Sequence, residues 1–187
     1  FGYTEITPAY FEAVANWYDA RFHWQVKREW LVKTPSVVFA VCAAIRAFTK
    51  EGDGVLIQTP VYYPFTESVR VNNRKLVENR LVLEKDRYVI DFDDFEAKIR
   101  NNGVKLFLLC SPHNPVSRVW TREELTRLGE ICLRHDVLVV ADEIHQDFIY
   151  PGHKHTVFAD LSPELAASTI TCTAPSKTFN LAGLQIS

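Results

Sequence analysis

Six side chains that could react or bind a ligand follow the predicted strands of this 187-residue chain, each close to the point where a strand ends. Ligands of open parallel sheets bind beyond the carboxyl ends of the strands, so we expect these groups to converge on one edge of a sheet. They are Tyr62 after VLIQTP (55–60), Asn114 after VKLFLLCSP (104–112), Asp142 and His145 at the end of VLVVAD (137–142), and Ser176 and Lys177 after STITCT (168–173).

Together these groups match the chemical demands of one cofactor, pyridoxal 5'-phosphate (PLP). A pyridine nitrogen needs a carboxylate, a phenolate oxygen needs an amide donor, a ring face needs an aromatic side chain, and an aldehyde needs an amine. The phosphate needs a helix N-terminus, which we expect at Val37 and Val38. Taken singly, each group also has an ordinary interpretation, such as a turn residue for Asn114 or a solvated charge for Lys177.

The elements that must position these groups follow from the hydrophobic pattern. Continuous apolar strands alternate with amphipathic helices, which is typical of α/β folds. We therefore predict three α/β/α layers around a mostly parallel sheet. A helix over 121–136 begins with a T-x-x-E capping box from Thr121 to Glu124. The apolar run from 37 predicts a helix that Ser36 caps and that is buried on every side.

Several further elements have weaker patterns. The remaining predictions are a helix within 8–30, a short strand at 30–32, helices in PFTESVRVNN and FDDFEAKIRN, and a strand within LVENRLVL.

Net charge and the cysteine and histidine content limit the kinds of partner and metal site that we expect. The net charge of -2 gives no reason to expect nucleic acid or an anionic membrane, and we expect a cytoplasmic protein. The four cysteines have no CxxC spacing, so we predict free thiols. His153 and His155 form an H-x-H pair, which we interpret as solvated loop residues, and we predict no metal site.

Five motifs in order resemble a known family. They are TPSVVFA (34–40), GDGVLIQTPVYYPF (52–65), CSPHNPVSRVW (110–120), VVADEIHQDF (139–148) and APSKTFNLAGL (174–184). With them, the chain resembles the PLP-dependent fold-type I enzymes of the class I/II aminotransferase superfamily. Within that superfamily it most resembles the MalY/PatB group of cystathionine β-lyases (C–S lyases). Family enzymes are about twice as long, so residues 1–187 resemble a PLP-binding large domain without its N-terminal extension and C-terminal small domain.

The resemblance implies roles for residues around the cofactor ring. Lys177 resembles the Schiff-base lysine, which also acts as acid and base. Asp142 resembles the carboxylate that keeps the pyridine nitrogen protonated, and Asn114 resembles the donor to the ring oxygen. Tyr62 is similar to the aromatic residue that stacks on the ring.

The resemblance also implies contacts to the phosphate and to a second subunit. Val37 and Val38 would donate backbone N–H groups to the phosphate, with Ser176 as a hydroxyl donor. Tyr3 is similar to a tyrosine that reaches the neighbouring subunit's cofactor, which implies a homodimer with a shared active site.

Five positions depart from the common family pattern. Ser36 and Ser117 replace glycines, and a glycine at the latter position serves a positive φ or a close approach. His145 stands where many aminotransferases have Tyr, which fits the C–S lyase group. Ala174 and Gln185 stand where relatives often have a phosphate-binding Ser and Arg.

The resemblance implies an enzyme that acts on a small amino-acid substrate. The leading hypothesis is a C–S lyase that converts cystathionine or related cysteine S-conjugates to a thiol, pyruvate and ammonia by β-elimination. The alternative is a class I/II aminotransferase, whose steps are the same up to the Cα carbanion, and only the HNPVSR and DEIH details favour the lyase. A nucleotide-binding domain lacks its G-x-G-x-x-G motif. An inactive fold used for interaction stays open, whereas a hydrolase built on Ser176 and Lys177 is disfavoured.

Overall fold

A five-stranded parallel sheet forms the centre of the fold. The computed structural model describes residues 5–187. The strands are β1 (Gly54–Thr59), β2 (Lys75–Arg80), β3 (Val82–Glu84), β4 (Arg87–Val89), β5 (Val104–Cys110), β6 (Leu138–Asp142) and β7 (Thr169–Cys172). The helices are α1 (Pro8–Phe22), α2 (Val37–Phe48), α3 (Pro64–Val71), α4 (Phe92–Asn102), α5 (Arg122–Arg134), α6 (Pro163–Ala167) and α7 (Pro175–Thr178).

The strand order creates a crevice beside β1. The order is β2-β1-β5-β6-β7, and every pairing in this sheet is parallel. The chain first adds β2 on one side of β1 and later adds β5 on its other side. Such a reversal of strand order is where open α/β sheets bind their ligands. The segments that follow β1 and β5 carry Tyr62 and Asn114.

Helices cover both faces of the sheet, as the α/β prediction required. Along β5, Leu106, Leu108 and Cys110 pack toward α2 and α3, whereas Phe107 and Leu109 pack toward α4, α5 and α6. This alternation follows from the two-residue period of a strand. Because both faces of the strand are buried, its sequence is an apolar run with only Lys105 exposed.

Local sequence signals set the starts of two predicted helices. The Thr121 side chain accepts a hydrogen bond from the Glu124 N–H, and the Glu124 carboxylate accepts one from the Thr121 N–H, so the capping box at α5 is confirmed. The Ser36 hydroxyl accepts from the Phe39 N–H at 3.1 Å and caps α2 as predicted.

Three of the predicted elements differ from the structure. The first helix ends at Phe22, because His23 takes the left-handed conformation that stops a helix. The strand predicted at 30–32 is wrong, since a 3-10 turn over Arg28–Trp30 precedes a connecting segment there. The prediction that α2 is buried on every side is also wrong. Only its face with Val37, Val41, Ala44 and Ile45 is buried, and Phe39 and Phe48 are exposed.

The region after β2 holds a hairpin that the sequence reading did not separate. LVENRLVL contributes to two strands, because Leu81 separates β2 from β3. Strands β3 and β4 form a separate antiparallel pair, and Lys85 in the turn between them has a φ of 56°. No helix within residues 5–187 combines the length and the apolar character that a bilayer-spanning segment needs.

Candidate active site

A cavity of about 230 Å³ lies beyond the carboxyl ends of the central strands. It brings together every predicted site residue in the described part of the chain, whereas Tyr3 lies outside the described residues. These lining residues are Val37, Val38, Tyr62, Asn114, Asp142, His145, Ser176 and Lys177. One edge of the sheet therefore presents an amine, a carboxylate, an amide and an aromatic ring to the same space.

Asp142, the last residue of β6, is the buried carboxylate of this cavity. Its Oδ1 accepts a hydrogen bond from the Ile144 N–H at 3.1 Å, which orients the carboxyl group. Burial raises the pKa of Asp142 to about 7, and the negative charge of Glu143 adds to the rise. The Ile144 N–H and the positive charge of Lys177 act in the opposite direction. Such a carboxylate is stabilised by a cation placed against it.

Tyr62 and Asn114 are held together at the crevice between β1 and β5. The Tyr62 N–H donates to the Asn114 backbone carbonyl at 2.9 Å, so a backbone hydrogen bond joins the two loops. The Asn114 N–H in turn donates to Cys110 Sγ at 3.4 Å. Burial raises the pKa of Tyr62, with smaller contributions from Tyr63 and Asp142, so its phenol stays protonated near neutral pH.

The N-terminus of α2 opens toward the cavity. Helical geometry leaves the first backbone N–H groups without partners inside the helix. Ser36 satisfies the Phe39 N–H, so the N–H groups of Val37 and Val38 are the ones that a ligand can use. Both residues line the cavity, which suits an anion at this end of the helix.

Lys177 sits in the four-residue helix α7, just beyond β7. One turn of helix is too short to be stable alone, so contacts with other segments must hold it. One such contact is the Thr178 hydroxyl, which donates to Asp147 Oδ2 at 2.7 Å. Local backbone bonds close the C-terminal end of the helix, from the Phe179 N–H to the Pro175 carbonyl at 2.9 Å and from the Leu181 N–H to the Ser176 carbonyl at 3.0 Å. His145 lies on the same side of the cavity, where burial and the Lys177 charge lower its pKa.

A cluster of buried side chains, which includes His113 and Trp120, supports the Asn114 turn. His113 Nε2 lies 3.0 Å from the Pro60 carbonyl, and burial lowers the pKa of His113 to about 4. A neutral ring can donate from Nε2 to that carbonyl, and the buried His113 side chain does not line the cavity. Trp120 packs edge-on against His113 and donates its indole N–H to the Cys110 carbonyl at 3.0 Å.

Ser117 shows how a departure from the family pattern is accommodated. Its φ is 55°, so this serine takes the left-handed conformation that a glycine would take more easily. The positive φ that a glycine would serve at this position is therefore present with a serine.

The solvated-loop interpretation of the H-x-H pair is wrong for one of its members. His153 is exposed, but His155 is buried, and its Nε2 lies 3.0 Å from Glu143 Oε2. The other carboxylate oxygen of Glu143 accepts from the Phe158 N–H at 2.8 Å. The pairing could not be predicted from the sequence because the partners lie twelve positions apart, across a loop.

Cysteines behave as predicted in the described part of the chain. All four are free thiols, and Cys110, Cys132 and Cys172 are buried. Burial raises the pKa of each of these three thiols, which keeps them in the unreactive protonated form.

Comparison with known proteins identifies the family of this chain. The family model for "Aminotransferase class I and II" matches residues 1–186. The chain belongs to this family. It is 49% identical over 187 residues to "Cystathionine beta-lyase PatB" of Bacillus subtilis (strain 168). That alignment covers 100% of this chain and 48% of that protein. The chain is 36% identical over 149 residues to an aspartate aminotransferase of Geobacillus stearothermophilus, covering 79% of this chain and 37% of that protein.

A solved structure of the same fold supports this membership. Cystalysin from Treponema denticola, described as containing a pyridoxal 5'-phosphate cofactor, matches with a TM-score of 0.97 and 46% identity. The match covers 100% of this chain and 47% of that one. The chain thus spans about half the length of the relatives it matches. The predicted fold-type I architecture and the resemblance to cystathionine β-lyases are both confirmed.

Proposed function

We propose that the protein containing this chain is a PLP-dependent C–S lyase. It would cleave cystathionine or a related cysteine S-conjugate by β-elimination, giving a thiol, pyruvate and ammonia. The observation that carries the proposal is the cavity that an amine, a buried carboxylate, an amide and an aromatic ring share: Lys177, Asp142, Asn114 and Tyr62.

The cavity residues fit PLP by their own chemistry. A protonated ring nitrogen beside Asp142 would stabilise a carboxylate whose pKa burial has raised to about 7. The N–H groups of Val37 and Val38, which helical geometry leaves free, suit the phosphate, and the Ser176 hydroxyl lines the same cavity. Tyr62 and Asn114 enter from joined loops, so a ring-stacking group and an amide donor are supplied as one unit.

Each residue then has a defined task in the elimination. When bound, PLP supplies an electron sink for the charge that develops at the substrate Cα. Lys177 takes the Cα proton at its Nζ, the Cα–Cβ double bond forms, and the Cβ–S bond breaks with its electron pair leaving on sulfur. The sulfur would take up a proton, which Lys177 can return, and depart as the thiol. Water would then convert the remaining aminoacrylate to pyruvate and ammonia. Asp142 would hold the proton on the ring nitrogen, and Tyr62 would cover one face of the ring and exclude water.

Similarity favours the lyase over the aminotransferase. The match to PatB extends over the whole chain at 49% identity, whereas the aspartate aminotransferase matches 79% of it at 36%. Transamination would need the same lysine, carboxylate and amide. The two reactions diverge when the carbanion either expels the Cβ sulfur or is reprotonated on the cofactor side.

Two further parts of the proposal rest on the resemblance. We propose a homodimer whose subunits share the active site, with Tyr3 of one subunit near the cofactor of the other. We also propose that the protein works in the cytoplasm.

The test uses the full-length protein with PLP, beside its Lys177→Ala variant. We expect wild type to release pyruvate from cystathionine and the variant to lose at least about 10³-fold in turnover, because the proton acceptor at Cα is gone. Lys50→Ala, which removes an exposed lysine outside the cavity, serves as the matched control and should keep wild-type turnover.

The products distinguish the candidates. Pyruvate and thiol that depend on Lys177 establish the lyase. Lysine-dependent conversion of an amino acid and a second keto acid, without pyruvate from cystathionine, establishes the aminotransferase instead. A protein that binds no PLP would refute both.

A further inference from the structure

The loops that follow β6 and β7 are joined by side chains on both sides of Lys177 in the sequence. Before the lysine, the Gln146 side-chain amide donates to the Thr173 hydroxyl at 3.4 Å. After it, the Thr178 hydroxyl donates to Asp147 Oδ2 at 2.7 Å. The two loops carry the proposed ring partner and the proposed base, so their relative position sets the geometry of the reaction.

Asp147 also links this junction to α1. Its Oδ1 lies 3.3 Å from Arg21 Nη2, and only 6% of the Asp147 side chain is exposed. The Arg21 guanidinium lies over the Trp17 ring, with 5.2 Å from Cζ to the ring centroid. The two residues are four apart on α1 and thus on one helix face.

Trp17 connects α1 to the residues that follow Lys177. Its ring meets the Phe179 ring edge-on at a centroid distance of 5.1 Å. The contacts therefore close a ring of five side chains, which we call the Asp147 clamp: Asp147, Thr178, Phe179, Trp17 and Arg21. The two residues directly after Lys177 are both held by it.

We propose that Asp147 is a positioning residue, which acts through Thr178 to fix the turn from which the Lys177 amine reaches the cofactor. The inference rests on the proposed function, because it assigns Asp147 a task within that same site. A helix of one turn has no stability of its own, so its orientation must come from contacts such as these. Misplacing a reacting group by about 1 Å can cost about 100-fold in rate.

The experiment measures how fast the lysine amine bonds to the cofactor, using the full-length protein freed of PLP. On mixing with PLP, the Nζ amine condenses with the aldehyde, a C=N bond forms and water leaves. Borohydride reduction at timed intervals traps the product, and mass spectrometry of the Lys177 peptide quantifies it. Thermal unfolding of each variant is recorded in parallel.

Four variants separate positioning from bulk stability. Thr178→Val removes the hydroxyl at nearly constant volume, Thr178→Ser retains it, and Asp147→Ala removes its acceptor. We expect the rate of bond formation to fall about ten-fold in Thr178→Val and in Asp147→Ala, and to stay within two-fold of wild type in Thr178→Ser. The double variant Asp147→Ala/Thr178→Val should be no slower than Asp147→Ala, because both changes remove one interaction.

The control is Glu96→Gln, which weakens the Arg134 and His135 contacts on a helix face outside the cavity. It should lower thermal stability without slowing bond formation. If Thr178→Val and Asp147→Ala bond PLP at the wild-type rate, or if their losses multiply in the double variant, the inference is overturned. Should either variant fail to fold, the other still decides. If wild type itself forms no bond at Lys177, the proposed function fails first.

Discussion

At the scale of single residues, the chemistry of the cavity depends on a carboxyl group placed where water is scarce. Asp142 ends a buried strand, and the carboxylate of Glu143 is its neighbour in sequence. Burial and that neighbouring charge both favour the protonated form of Asp142 in the cofactor-free protein. Ionised Asp142 therefore lowers the free energy of unfolding, and a cationic ligand bound beside it would offset that loss.

This cost predicts the pH dependence of stability in the cofactor-free, full-length protein. The folded pKa of about 7 lies above that of an unfolded aspartate, about 3.9. The proton on Asp142 therefore contributes fully to the free energy of unfolding below about pH 4, and this contribution is lost as pH rises through about 7. Asp142→Asn removes the ionisation and retains an acceptor for the Ile144 N–H. We expect its stability advantage in urea unfolding to grow by roughly 2 to 3 kcal/mol from pH 5 to pH 8.

Asp93→Asn is the matched control, because the Asp93 side chain is exposed. Its difference from wild type should stay flat over the same pH interval. An Asp142→Asn advantage that is equally flat would show that the buried carboxyl group carries no such cost.

At the scale of elements, α2 connects helix capping with ligand binding. Ser36 holds the first turn through the Phe39 N–H, and that turn carries the two N–H groups proposed for the phosphate. Thr121 caps α5 by the same local chemistry, at a helix whose first residues do not line the cavity. The two caps therefore share a structural role and differ in the proposed functional one.

Removing each cap should separate these roles. Ser36→Ala and Thr121→Ala should each cost about 1 kcal/mol of unfolding free energy, because a first-turn N–H loses its acceptor. Only Ser36→Ala should weaken PLP binding, by roughly five-fold, since a loosened first turn no longer holds the Val37 and Val38 N–H groups in place. Equilibrium titration with PLP measures the difference. Equal PLP affinity in both variants would contradict a phosphate site at α2.

At the scale of the whole molecule, the buried pair Glu143–His155 connects the cavity edge of the sheet to the segment that packs against α1. Glu143 follows Asp142, and its backbone N–H donates to the Cys172 carbonyl at 2.8 Å. Its carboxylate meets His155 and the Phe158 N–H, so β6, β7 and the segment around 155–158 are tied at one point. The Phe22 ring of α1 packs edge-on against His155 at 5.5 Å.

Breaking this pair should destabilise the protein. His155→Ala should cost about 3 kcal/mol in urea unfolding, because it leaves the buried carboxylate of Glu143 without its side-chain partner. His153→Ala changes an exposed histidine two residues away and should cost less than about 0.5 kcal/mol. A loss of similar size in both variants would mean that the segment, and not the buried pair, carries the stability.

Sequence by itself determined the local features of this protein. The strands β1, β5 and β6 are apolar runs, the caps at Ser36 and Thr121 are read from neighbouring residues, and the six chemical side chains follow strand ends. Each of these signals lies within a few residues, where periodicity and capping chemistry act directly. That is why the α/β class and eight of the residues that line the cavity could be predicted before the fold was known.

Tertiary structure alone decided the contacts between distant segments. It set the order β2-β1-β5-β6-β7, left one face of α2 exposed, paired His155 with Glu143, and closed the Asp147 clamp through α1. No local pattern encodes these features, because they depend on which buried surfaces meet once the sheet is assembled. A histidine in a polar stretch has the same local sequence whether it faces water or a buried carboxylate, and only packing distinguishes the two.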